Sequence, residues 1–165
     1  MGKIYITRRI RFLKNKHTSN LTDEDIHFLK ETGIINGCGG NIRQQKFNNI
    51  FRNIFVWIAN YFAQKIRPVF FEASCDLHDF GYWKGGDEAR RKECDEKFLQ
   101  KILEDIETKY LRIWNENGYL FYRSNPIRYR FEQIKNFFER IFYTILAKLF
   151  YLAVRIGGKK YFNYH

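Results

Sequence analysis

Apolar residues along this chain recur mostly at three- and four-residue steps, the period of amphipathic helices rather than strands. Between 42 and 66, Phe47, Ile50, Phe51, Ile54, Phe55, Ile58 and Phe62 mark one face, while Arg43, Gln44, Asn48, Arg52 and Asn53 mark the other. A helix is expected there, and Pro68 ends it or opens the next element. The stretch "VFFEASCDLHDFGYW" from Val69 reads as a second helix that stops at "KGG", where Gly85 or Gly86 can take a left-handed cap. A third starts with the acids Asp87 and Glu88, which suit a helix N-terminus. Its apolar side carries Ala89, Phe98, Ile102 and Ile106, widened by Leu99 and Leu103. A last helix is expected over 131–156, stopped by Gly157 and Gly158.

Shorter elements fill the gaps. "TDEDIHFLKE" predicts a short helix capped by Thr22 or Asp23, with acids in its first turn. Residues 1–20 are basic and weakly patterned, which suggests an arm or edge element. "TGIINGCGGN" is a glycine-rich loop. "NENGYLFYRSNPIRYR", with Asn117-Gly118 and Asn125-Pro126, predicts a connector with room for a hairpin. No repeat or low-complexity tract interrupts the chain. The expectation is an all-α fold in one domain over 1–165.

Composition supports that expectation. A chain of 165 residues can bury a core without relying on disulfides. It carries 17 Phe, 11 Tyr and only two Pro, a balance that suits aromatic-packed helices. The formal charge of +11 changes the picture more, because it points to an anionic partner. Charge alone does not separate nucleic acid from an anionic bilayer. The absence of any nucleic-acid motif favours the bilayer, leaving a basic binding module as the non-enzyme alternative.

The first twenty residues lack the apolar stretch of a signal peptide, and Ile6 stands where a myristoylation pattern needs Ser or Thr. The most apolar run, Ile141 to Val154, is 14 residues long and contains Lys148, short of the roughly 20 apolar residues of a membrane span. A buried or interfacial helix is expected instead.

The crowding of Cys75, His78, Asp79 and Tyr82 in "CDLHDFGY" calls for a chemical reading. With Gly85-Gly86 as a turn, His78 lies about 10 Å before it and Asp95 about 14 Å after it, at 1.5 Å per residue. Antiparallel helices then bring His78 and Asp95 to nearly one level, with Tyr82 one turn after His78 on the same face. A histidine oriented by a buried carboxylate is a general-base arrangement.

Asp79 points about 100° away from His78 and is suited to a hard cation. One carboxylate does not hold calcium, which takes six to eight oxygens, often including backbone carbonyls. "NGCGGN", Asn36 to Asn41, is the candidate donor of those carbonyls. Cys38 and Cys75 offer a tether between that loop and the His78 helix.

Plainer readings stay open. His78 can be a core histidine, Asp95 can be solvated in "RRKECDEK", and "GCGG" can be an ordinary loop. Cys38, Cys75, His78 and Cys94 can form a zinc site. "HD" also occurs in metal-dependent phosphohydrolases, which need further His and Asp ligands.

Taken together, "C-x-x-H-D-x-x-Y" with an upstream "G-C-G-G" and a downstream helical Asp95 resembles the secreted phospholipase A2 superfamily. The likeness is greatest to compact phage-type or bacterial members that lack the β-wing, and it covers roughly 33–41 and 68–105. It implies a core of two antiparallel helices, a catalytic hairpin over 68–109 and a calcium loop over 33–41. In that scheme His78 activates water, Asp95 orients His78, and Tyr82 supports the pair. Ca2+ is bound by the side chain of Asp79 and by the carbonyls of Gly37, Gly39 and Asn41. Cys38 pairs with Cys75. The chemistry implied is hydrolysis of the sn-2 ester of glycerophospholipids at an anionic membrane surface. A monomer is expected, secreted, virion-associated or peripheral at a membrane, with no nucleic-acid partner. Two departures stand out. Cys38 and His78 are 40 residues apart, a longer separation than in secreted members, and Ser74 and Gly81 replace cysteines of those members.

Overall fold

The computed structural model describes residues 3–36, 61, 69–124 and 126–165, with the side chains of 3–4, 69 and 112–124 left aside. Five helices account for most of them: α1 (Lys3–Asn15), α2 (Asp23–Glu31), α3 (Glu72–Lys84), α4 (Glu88–Ser124) and α5 (Pro126–Gly157). Short 3-10 turns precede α2, precede α3 and follow α5. Among the described residues there is no strand, and one isolated parallel bridge joins Gly86 to Tyr164. The fold is all-α, as the pattern predicts.

Three boundaries differ from the sequence expectation. The basic N-terminal segment expected as an arm or edge element contains a helix, Lys3–Asn15. Ile6, Ile10 and Leu13 recur on one side, and Leu13 is fully buried. The expected connector and hairpin near 115–130 is also absent, since α4 runs unbroken through Asn117-Gly118 to Ser124. A single glycine costs a helix only about 1 kcal/mol, too little to stop a long one. The next helix is described from Pro126, and proline suits the first position of a helix. The C-terminal helix therefore starts at Pro126 rather than 131. The helix expected between 42 and 66 lies outside the described residues, apart from Tyr61.

Thr22 caps α2 in a reciprocal box: its hydroxyl accepts from the Asp25 amide, and the Asp25 carboxylate accepts from the Thr22 amide. Asp25 also binds Lys16 at 2.5 Å, closing α2 onto the end of α1. Lys30 then reaches Glu72 and Asp76 of α3, each at 2.8 Å. Gly85 ends α3 with φ +74, and a side chain there would run into the Asn163 carbonyl. Only glycine meets both demands.

α4 and α5 run antiparallel, with Asp95 facing Arg155, Glu107 facing Arg140 and Tyr110 facing Glu139. One core lies where α3, α4 and α5 meet, around Phe71, Phe98, Ile102, Ile106, Leu146 and Phe150. A second, of Leu13, Phe28, Leu29, Ile35 and Phe80, joins α1 and α2 to the opposite face of α3. α3 is thus wedged between two cores, and His78 sits on it.

Pro126–Lys160 is long and apolar enough, by length and composition, to cross a membrane. Its best window has a mean hydropathy of 1.4, and 33% of that window is buried in the protein. The inward residues Leu146, Ala147, Phe150 and Ala153 belong to the helical core, so the apolarity serves packing at least in part.

Candidate functional site

The Gly85-Gly86 turn brings α3 and α4 together as the hairpin arithmetic requires. His78 Nε2 lies 3.0 Å from Asp95 Oδ1. Tyr82 donates to the same oxygen at 2.6 Å. The Asp95 side chain is fully buried. A carboxylate only accepts hydrogen bonds, so His78 presents Nε2–H to Asp95 and keeps the Nδ1 lone pair. That Nδ1 lies 4.0 Å from Asp79 Oδ1. The ring is held between Tyr82 and Phe98, with centroids 4.2 and 4.5 Å away.

The second oxygen of Asp95 carries contacts that sequence reasoning missed. Arg155 donates to Oδ2 at 2.8 Å and Arg91 at 3.3 Å. Four donors therefore occupy the acceptor capacity of one carboxylate. Burial pushes the Asp95 carboxyl up, but the hydrogen bonds from His78, Tyr82 and Arg155 outweigh it and hold it below the usual aspartate value. Burial, then the adjacent Asp95 charge, raises the Tyr82 phenol, so Tyr82 stays a neutral donor. Arg91 is shared with Glu88, which also accepts from Tyr164 at 2.6 Å. Two carboxylates, Asp95 and Glu88, and two guanidiniums, Arg91 and Arg155, thus balance in charge. Arg91 was readable as the i−4 partner of Asp95 on one helix. Arg155 lies 60 residues away, with no local signal.

The C-terminal segment closes the back of this network. Phe162 packs edge-on against Tyr82 at 5.2 Å, and the Asn163 amide donates to the Tyr82 carbonyl at 3.2 Å. Gly158 is packed so close that a Cβ there would collide with the Tyr82 hydroxyl.

The loop side is described only in part. Ile35 is buried in the second core, which fixes the start of the glycine-rich loop beside α3. The following amide, Asn36 N–H, donates to Asp79 Oδ2 at 3.1 Å across 43 residues of chain. The expected loop ligands Gly37, Gly39 and Asn41 lie outside the described residues, as does Cys38. Cys75 is disulfide-bonded and Cys94 is a free, buried thiol. Burial raises the Cys94 thiol, which keeps it protonated and unreactive. Among the described residues no group of three or more His, Cys, Asp or Glu side chains is placed to hold a metal ion.

Ser74 and Gly81, where the resemblance led to cysteines, have other roles. Ser74 donates to Asp105 at 2.6 Å, and Gly81 makes room for the Cys94 sulfur. No protein-family model, curated protein or solved structure matches the chain.

Proposed function

We propose that this chain is a calcium-dependent, phospholipase A2-like hydrolase of the sn-2 ester of glycerophospholipids. The observation that carries the reading is the orientation of His78. Its Nε2 is engaged by Asp95 and its Nδ1 faces the side where Asp79 meets the loop. A water at Nδ1 would give its proton to His78 as its oxygen attacks the ester carbonyl carbon. Asp95 stabilises the imidazolium that forms, and Tyr82, Arg91 and Arg155 keep Asp95 ionised and in place. His78 then returns the proton to the departing glycerol oxygen. The products are a fatty acid and a lysophospholipid.

Asp79 would hold calcium by its carboxylate, with the carbonyls of Gly37, Gly39 and Asn41 completing the set. The metal, when bound, supplies charge for the developing oxyanion. Asp79 fits that role: it is a quarter exposed, beside His78, and already within reach of the loop through the Asn36 amide. A Cys38–Cys75 disulfide would tether the loop to α3. The positive charge of +11 supports work at an anionic phospholipid surface, whether the protein is secreted, virion-associated or peripheral.

A non-catalytic, membrane-binding role is the second reading, and the exposed apolar residues of α5 favour it. The deciding experiment measures free fatty acid from mixed phosphatidylcholine and phosphatidylglycerol vesicles, with calcium and with chelator. Calcium-dependent release of the sn-2 acid is expected. Binding without release in calcium would leave the non-catalytic reading.

A further inference from the structure

We infer that the outward face of α5 docks in the plane of an anionic lipid bilayer. Ile127, Phe131, Ile134, Phe138, Ile141 and Ile145 follow one another at alternating four- and three-residue steps along this helix. Each is between 41% and 70% exposed. At 1.5 Å per residue the stripe runs about 27 Å. At 100° per residue its midline lies well around the helix from the core residues Leu146, Ala147 and Phe150. α5 is therefore apolar on two faces, and only one of them is covered by the described fold.

Charge selects the occupant. The helix has six basic residues and two acids, Glu132 and Glu139. Both acids lie roughly 120–140° from the midline of the stripe, on the side turned toward α4. Glu139 accepts there from Tyr110. Arg130 and Lys148 flank the stripe at about 60° on one side, and Lys135 and Arg128 at about 80–100° on the other. An apolar stripe edged with cations, its acids turned away, is the pattern of a helix lying in the headgroup region.

The 3-4 spacing also suits a coiled-coil seam. In a second copy, however, Arg128, Arg130 and Lys135 would border the seam on both partners and face their own kind. A transmembrane placement conflicts with the ties to α4, because Arg140 pairs with Glu107 and the inward face is fused to the core. The inference rests on the lipid-directed reading above for its setting. It also links the two, since α5 carries the Arg155 that reaches Asp95.

The test is co-sedimentation of the full chain with vesicles in chelator, where binding is read without turnover. Wild type is expected to pellet with 3:1 phosphatidylcholine:phosphatidylglycerol, far less with phosphatidylcholine alone, and less as salt rises. The triple variant F131S/F138S/I141S should partition at least about tenfold more weakly with an unchanged helical circular dichroism spectrum. Should that variant misfold, R130E/K135E serves in its place and should lose the preference for anionic vesicles. Wild type staying in the supernatant overturns the inference, as does a folded triple variant that binds equally well. A wild-type dimer that the triple variant dissociates makes the stripe a self-association seam and also overturns it. Hydrolysis of a monomerically dispersed short-chain phospholipid separates the two proposals. Hydrolysis without vesicle binding removes the docking face alone. Vesicle binding without hydrolysis removes the hydrolase alone.

Discussion

Asp95 and Asp79 lie on either side of the His78 ring and are held in different ways. Asp95 is fully buried and receives four donors, two of them guanidiniums from different helices. Asp79 is a quarter exposed and accepts a backbone amide from a loop that starts 43 residues earlier. The first arrangement fixes a geometry: it leaves the imidazole one orientation and one available nitrogen. The second stands at the edge of the fold, where its carboxylate meets the start of the glycine-rich segment. In the proposed mechanism, positioning and ligand binding fall to separate acids of the same type, distinguished by burial.

Removing the two acids should break the comparison most plainly. Asp95→Ala strands His78 Nε2 and the Tyr82 hydroxyl and leaves Arg91 with Glu88 alone, and should cost about 3–5 kcal/mol in urea unfolding. Asp79→Asn keeps an acceptor for the Asn36 amide and should change stability by less than about 0.5 kcal/mol, while abolishing any response of activity to calcium. Equal losses of stability from the two would contradict the account.

Gly158→Ala tests the same network from behind. The methyl would push the Tyr82 hydroxyl off Asp95, and overpacking of this kind costs about 1–3 kcal/mol. Thermal denaturation gives the stability change. Adding Tyr82→Phe should recover part of it, because the colliding oxygen is gone.

The smallest effect is expected at the start of α2, where Asp25 holds α2 to α1. Burial raises its carboxyl, but hydrogen bonds from Lys16 and Thr22 outweigh that and pull it from 3.8 down to about 2. A depressed folded value means stability that is present above the unfolded value and lost as pH falls toward the folded one. The melting temperature should therefore decline between about pH 4 and pH 2, and Asp25→Asn should flatten that part of the curve. A variant with the same acid slope as wild type would place the loss elsewhere.

The legible parts of the site are those governed by short-range arithmetic. His78, Tyr82 and Asp95 follow from helix rise on either side of one Gly-Gly turn, and the structure brings all three together. Arg91 was within reach of the same reasoning but was submerged in "RRKECDEK", which looks like a solvated run. Arg155 was not legible, because its contact depends on how α5 returns along α4. α1 was obscured because its basic residues outnumber the three apolar positions that it turns inward. The glycine at 118 misled for a different reason: it weakens a helix locally, but length and packing elsewhere carry the helix through.

The central claim is tested most directly by fatty-acid release in calcium from wild type and His78→Gln side by side. The account predicts release by wild type and a loss of about a hundredfold or more in the variant, the usual contribution of a general base. Equal release by the two proteins would contradict it.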